Sequence, residues 1–401
     1  MKDNSKGYIL ILSLVIAIAL FIYLGAVMTR FVVQRKQIDY SYHKERALAL
    51  AESGIDVALF CLNEKNLSQP YPEVSGAIPD MGTFLVTITS STTSVTITST
   101  GYSTQVNKIK AERTVEVTAE LQEINLFNYS LFTVQGPVQL NDSFVDSYDS
   151  RLGSYEDQAT NYDPGTGYTY ANSNASVGTG LTDPDAISLN GNSMIFGDAN
   201  LGVKVELPQP VPPASFDYDY SGTPQGILSI SGNDVYKLNN PGTYRYDAIS
   251  ISGNGVLEIN APVTIYVAGD VRVNDLDITG HGEIRVATGS TVNFYVGGNL
   301  KIAGNGIVNL NSDPSALAIY GTQKTENIQF QGNAAFRGLI YAPYADVTVK
   351  GSTPVLYGAV VANSIDIGPN GEIHYDEAIR DKKNFLPSWA SIYRIVFWKE
   401  K

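Results

Sequence analysis

The sequence predicts a mainly β chain behind one long N-terminal helix. The helix is transmembrane first and a stalk second. A small antiparallel sheet follows it, and then a right-handed parallel β-helix. Three observations predict this. An uncharged run of 21 residues lies at Tyr8–Met28. Period-2 alternation of β-branched residues follows between 83 and 121. Beyond that, short alternating strands recur, each ending in a glycine turn.

The composition bounds the function. The chain has 401 residues, enough for two or three folding units. Its formal net charge is −13, which repels phosphate backbones and argues against nucleic acid as a partner. The lone Cys61 excludes an intramolecular disulfide and a cysteine-based metal site.

The run Tyr8–Met28 holds thirteen Leu, Ile, Val or Phe residues. As a helix it spans ~32 Å, the thickness of a bilayer core. A cleaved secretory signal would have a shorter apolar region followed by small residues. Here Arg30, Phe31, Val32 and Val33 follow instead. Before the run stands a leader, residues 1–7, that ends Lys6-Gly7. The helix continues as a stalk over 29–66. Between Thr29 and Lys65 there is no proline and one glycine, Gly54. Leu48, Ala51, Ile55, Leu59 and Leu62 mark an apolar face, with Glu45, Glu52 and Asp56 mostly off it. The breakers Asn66, Ser68 and Pro70 end the run.

Residues 67–124 read as a meander of three strands, at Thr83–Thr89, Ser94–Ser103 and Ile109–Leu121. Residues 125–380 read as the β-helix. Its strands end at Gly191, Gly232, Gly253, Gly280, Gly304, Gly332 and Gly351, at gaps of 41, 21, 27, 24, 28 and 19. Such periods signal stacked coils, with glycine supplying positive φ at the corners. Ile251, Leu300, Ile302 and Ile340 should point inward. A β-sandwich is the rival fold. A loop insertion is expected over 141–186, and 381–401 is expected as a C-terminal cap segment.

The stretch Ala49-Leu-Ala51-Glu52-Ser-Gly54-Ile55, below an apolar helix, resembles the N-terminal module of PilX-type type IV pilus assembly proteins. The body resembles a pilus-associated β-helical domain of unknown function. The pieces that carry this are Asp146-Ser-Tyr148-Asp149-Ser150, Gly338-Leu-Ile-Tyr341-Ala342-Pro343, Tyr357-Gly358-Ala359-Val360, His374-Tyr375-Asp376-Glu377-Ala378 and the ending Tyr393–Glu400. The resemblance implies a pilin-like small sheet and a minor pilin-like subunit. It implies cleavage between Gly7 and Tyr8 by a prepilin peptidase. Its implied partners are other pilin-like subunits, the pilus assembly machinery and the membrane. The implied location is the cytoplasmic (inner) membrane, with a single pass and the body in the periplasm or outside the cell, and in the pilus itself for assembled copies. One position departs from the family: pilins carry a glutamate five residues into the mature chain, and Leu12 stands there. That favours a minor or tip subunit over a repeating one.

Positive charges count the other way. Lys2 and Lys6 precede the helix, while Arg30, Arg35, Lys36, Lys44 and Arg46 follow it. That bias alone places the body in the cytosol, as in a bactofilin-like scaffold. The resemblance to pilins overrides it.

No catalytic or cofactor residues are assigned. The Asp- and Tyr-rich insertion is the candidate binding loop, with Asp146, Tyr148, Asp149, Tyr155 and Tyr162 to meet a surface glycan or protein partner. Its aspartates (Asp142, Asp146, Asp149, Asp157, Asp163) lack EF-hand spacing, which leaves Ca²⁺ as a subsidiary reading. His374, Tyr375, Asp376 and Glu377 are the candidate cap motif, read as covering the last coil rather than as a metal site. His43 belongs to the stalk and His281 to a solvated corner. An enzyme acting on surface polysaccharide is the alternative, since β-helices host lyases and hydrolases. It would need carboxylates or cations grouped along one face.

Overall fold

The computed structural model describes residues 5–64, 71–91, 94–105, 108–123, 127–205, 207–222, 226–274, 280–332, 335–351, 354–382, 387 and 391–401. Two compact units divide the chain: residues 1–122 with 392–401, and residues 123–391.

The first unit is built on one unbroken helix, Ser5–Glu64, of 60 residues. At 1.5 Å per residue it is ~90 Å long. By length and composition it is able to cross a membrane. Its side chains from Ile11 to Val33 are almost all exposed, Phe21 at 78%. Gly7 and Tyr8 fall within the helix. Residues 1–4 and the breakers Asn66, Ser68 and Pro70 lie outside the described residues.

Burial begins at His43, whose Nδ1 lies 2.8 Å from Ser103 Oγ. Of the expected apolar face, Ala51, Ile55 and Leu62 are buried, while Leu48 and Leu59 are only partly so. Ala47, Leu50 and Ala58 complete the buried stripe. The alanines are there because the sheet comes very close. A Cβ on Gly101 would sit 2.1 Å from the Ala47 carbonyl oxygen, and one on Gly54 would sit 2.2 Å from Ser99 Oγ. Gly101→Val is therefore expected to unseat the helix. Overpacking of this kind costs about 1–3 kcal/mol. Limited proteolysis should cut the variant faster than the parent within 43–64.

The sheet under the helix has five strands rather than three. Val74–Ile78, Gly82–Ser90, Ser94–Gln105 and Lys108–Glu123 run antiparallel in sequence order. The fifth strand, beside Lys108–Glu123, is Ser391–Glu400. Within 381–401, this segment is thus a strand of the small sheet rather than a cap on the body. Its residues explain the change: Ile392, Tyr393, Ile395, Val396, Phe397 and Trp398 are strand formers. Tyr393 N–H donates to Asn63 Oδ1 at 2.8 Å, and Arg113 pairs with Glu400 at 3.1 Å.

The second unit consists of short parallel strands stacked in curled ladders. One ladder runs through Tyr218–Asp219, Gly242–Tyr246, Val263–Val267, Val292–Val296, Leu317–Gly321 and the first part of Phe336–Lys350. A second runs through Ile227–Ile230, Ala248–Ile251, Val271–Val273, Leu300–Gly304, Asn327–Gly332 and the last part of Phe336–Lys350. A third joins Val235–Leu238, Val256–Ile259, Glu283–Val286 and Gly306–Asn309. Apolar residues at alternate positions fill the interior, and Ile251, Leu300, Ile302 and Ile340 are all buried. Gly253 and Gly304 turn with φ of +67°, as expected at corners. Residues 275–279, inside the fourth expected repeat, lie outside the described residues.

The stacking order departs from chain order. Val355–Ile367 pairs onward with Leu131–Thr133 and Val138–Asn141, and these pair with Val177–Thr179 and Ile187–Asn190. The first strands of the unit therefore stack beyond its last ones. Glu372–Asp376 in turn pairs with Phe144–Tyr148. This pairing corrects the start of the expected insertion, because Phe144–Tyr148 is a fully buried strand.

Candidate functional site

Two places in the second unit gather polar side chains. The first is made by the pairing just described, whose register sets His374 opposite Asp146 and Asp376 opposite Tyr148. The proposed binding loop and the proposed cap motif are thus two halves of one cluster. His374 Nδ1 lies 2.6 Å from Asp146 Oδ1, and both side chains are fully buried. The other carboxylate oxygen accepts from Tyr155 Oη and from the Ala171 N–H, each at 2.9 Å. The Tyr155 ring stacks on the imidazole at 3.6 Å, and the Tyr357 ring lies 4.9 Å away. His374 Nε2 faces Glu372 Oε2 at 3.4 Å, an electrostatic contact rather than a full hydrogen bond.

The rest of the motif is tied down as well. Tyr375 Oη donates to the Phe127 carbonyl at 2.7 Å. Asp376 Oδ1 accepts from the N–H of Ser150 and of Ala378. Glu377 Oε1 accepts from Ser147 Oγ, Asn172 and Asn174. Arg337 lies 4.3 Å over the Tyr357 ring, and Tyr357 Oη donates to Glu156.

The environment shifts these groups in physical terms. Burial pulls the His374 imidazolium down, but Asp146 and Glu372 outweigh it and hold its pKa above the ordinary value. Burial raises the Tyr155 hydroxyl, and the Asp146 charge raises it further. Burial also raises Asp376 and pushes Tyr375 up to about 12.

Asp146, Tyr148 and Tyr155 are therefore not the exposed contact residues that the sequence led one to expect. They are buried with partners for their polar atoms: Tyr155 donates to Asp146, and Arg337 donates to the Tyr148 hydroxyl. Asp149 is held by Arg151 at 2.7 and 2.8 Å, which keeps its carboxyl below the usual range. Tyr162 is 64% exposed on a short hairpin, Asn161–Tyr162 with Thr169–Tyr170. Among the described residues, no three His, Cys, Asp or Glu side chains are placed to hold a metal ion. Chemically the cluster is a buried, charge-assisted tie.

The second place is a cleft of about 330 Å³ on the outer face of the second ladder. Asp270, Arg272, Asn299, Lys301, Asn327 and Gln329 line it with Leu300. Register puts Arg272 beside Lys301, and Lys301 beside Gln329. At one edge the Asx residues chain together. The Asn299 N–H donates to Asp270 Oδ1, and the Asn327 N–H donates to Asn299 Oδ1, both at 2.9 Å. The Asn299 N–H and Arg272 hold the Asp270 carboxyl below its usual range.

A family model described as "Domain of unknown function (DUF7305)" matches residues 217–382. That is less than half of the chain. The matched stretch contains the whole cleft and His374 but not Asp146. No curated protein matches. Among solved structures, the competence-associated pilin ComZ from Thermus thermophilus aligns with 89% of this chain and 97% of its own, at 11% identity and a TM-score of 0.23. A superposition at that score does not establish a common fold.

The cleft had a signal in the sequence. Asp270-Val-Arg-Val, Asn299-Leu-Lys-Ile, Asn327-Ile-Gln-Phe and Asp346-Val-Thr-Val repeat one pattern: an Asx residue, then apolar, polar, apolar. Alignment on the glycine that ends each strand hides the Asx that begins it. Glu156 carried no comparable signal, because Tyr357, the partner it meets, is distant in the chain.

Proposed function

We propose that this chain is a membrane-anchored, pilin-like minor subunit of a type IV pilus or a related system. In this reading its body is a non-catalytic β-helix, displayed outside the cytoplasmic membrane for assembly or for binding a partner. The observation that carries the reading is the helix Ser5–Glu64. Its first half is apolar and exposed, and its second half is seated on a small antiparallel sheet. Such a helix anchors at one end and presents a folded head at the other. The register-matched stacking of short parallel strands in curled ladders is what supports a solenoid for the body. Leu12, where pilins carry a glutamate, fits a subunit used in few copies. Among the described residues that line the cleft, Asp270 is the one carboxylate, whereas glycoside hydrolysis uses two. Binding is therefore favoured over turnover.

The partners in this reading are other pilin-like subunits, the assembly machinery and a prepilin peptidase. Processing tests it directly. In membranes with an active prepilin peptidase, mass spectrometry should find the mature N-terminal peptide starting at Tyr8. Recovery of only Met1-containing chain would leave a plain signal anchor and defeat the pilin reading.

A further inference from the structure

We infer that the second unit joins head to tail with a second copy of this chain. The Ile187–Asn190 end of one stack seats on the Ile227–Ile230 end of the next. The inference rests on the assembly role proposed above and names its partner. Processing at Tyr8 tests that role separately, so the two can fail independently.

Four observations carry it. First, the ladders end in open strands. Among the described residues, Tyr218–Asp219, Ile227–Ile230 and Val235–Leu238 pair along one edge only. So do Ala199–Asn200, Ile187–Asn190 and Met194–Ile195 at the other end. An unpaired edge offers its N–H and C=O groups to another chain. Second, the apolar interior reaches both ends uncovered. Leu189 stands in register with the buried Leu140, yet it is 46% exposed. At the other end Leu228 and Tyr236 are only half-buried, in register with the buried Ile249 and Leu257. Third, one register runs through the second ladder from end to end. The column that begins at Leu228 passes through Leu300 and Ile328 and ends at Ile187. The two end strands repeat one pattern, Leu228-Ser-Ile-Ser-Gly-Asn and Ile187-Ser-Leu-Asn-Gly-Asn. Setting Ile187 of one copy on Leu228 of another extends the apolar column and keeps glycine against glycine at the turn.

Fourth, the ends are complementary in partial charge. Asn254 Nδ2 donates to Asn233 Oδ1 at 2.8 Å, and Asn260 Nδ2 donates to Asn239 Oδ1 at 2.9 Å. Asn190 Nδ2 donates to Asn141 Oδ1 at 3.0 Å. All three amides donate toward the same end of the stack. An amide carries its donors and its acceptor on opposite sides. Asn233 and Asn239 therefore turn Nδ2 outward. Asn190 turns its oxygen outward, with Ser188 Oγ of its own strand 3.4 Å from it. The continued register sets Asn192 against Asn233 and Asn190 against Ser231, acceptor against donor. Two copies of the same end would set like against like, so the joint is head to tail. Such a joint does not close on itself and adds copies in a line.

Both ends are acidic on balance. Residues 217–238 hold Asp217, Asp219 and Asp234 against Lys237, with Arg245 offsetting Asp219. Residues 183–204 hold Asp183, Asp185 and Asp198 against Lys204. This repulsion opposes the joint, and salt screens it: the Debye length falls from about 10 Å at 0.1 M to about 3 Å at 1 M. Association should therefore strengthen as ionic strength rises.

Sedimentation velocity of the full-length chain in detergent micelles, at about 0.1 M and about 1 M salt, tests this. The parent should form assemblies of two and more copies that grow with salt. Leu189→Glu blocks one end, and Asn233→Glu/Asn239→Glu blocks the other. All three positions are exposed, so both variants should melt like the parent. Either variant alone should associate at least about tenfold more weakly than the parent. Mixed in equal amounts, the two should form dimers of one copy each and nothing longer, because each retains one good end. The proposal is overturned if the parent stays single at about 1 M salt, which would leave the ends to a different molecule. It is overturned equally if the blocked variants associate as the parent does, or if their mixture behaves as the separate variants do.

Discussion

Ile302→Asp is expected to lower the melting temperature of the second unit by ten degrees or more, or to abolish its cooperative transition. Ile302 is 2% exposed and sits on an inner strand of its ladder, between Val273 on one side and Phe330 on the other. Its ladder neighbours Val273 and Phe330 are apolar and offer a carboxylate no partner. Burying an unpaired charge costs several kcal/mol even after the structure relaxes. A domain of this size shifts by about 2–4 °C per kcal/mol. Each coil leans on the next, so the loss should spread along the stack. Lys301→Asp, one residue earlier, is the control. Lys301 points outward into the cleft, and its replacement should leave the melt close to that of the parent. If Ile302→Asp melts like the parent, its inward placement is wrong.

What could be read from the sequence follows from how local each signal was. The strands at Gly82–Ser90 and Leu300–Gly304 were legible because period-2 alternation is a property of a few neighbouring residues. So was the helix, whose apolar run needs no distant partner. The buried face of the stalk was only half legible. Its closest approach to the sheet is at Ala47, opposite Gly101, and hydrophobic periodicity gives alanine little weight. The candidate site was the least legible. His374 and Asp146 are 228 residues apart, and they meet because the first strands of the unit stack beyond the last. No local pattern encodes that order. Asp146 and Tyr148 also carry polar atoms, which reads as a surface loop until their partners are known. The strand Ser391–Glu400 is rich in β-branched and aromatic residues, but nothing local says which sheet it joins.

Asp146→Ala is expected to cost about 3–5 kcal/mol, the usual result of removing one member of a buried charged pair. Three groups would lose their acceptor together: His374 Nδ1, the Tyr155 hydroxyl and the Ala171 N–H. The pH dependence identifies the pair more sharply than the loss does. The folded pKa of His374 is raised, so the folded chain holds its proton more tightly than the unfolded chain does. The resulting stability is fully present below the unfolded value of about 6.5. It is lost as pH rises through the raised folded value. The groups that face the imidazole are Asp146 on the paired strand, Glu372 on its own strand, and the rings of Tyr155 and Tyr357. Both tyrosines are shifted upward and stay neutral through this window. Asp376 is also raised, but its titration starts from the carboxylate value of about 3.9, and it is shared by parent and variant. Denaturant melts of both proteins from pH 5 to 9 isolate the effect. The parent should lose stability as pH climbs past about 6.5, and the difference between the two should shrink with it. Parallel curves, with a gap independent of pH, would mean that His374 stays neutral in the fold and that the 2.6 Å contact with Asp146 is an ordinary hydrogen bond.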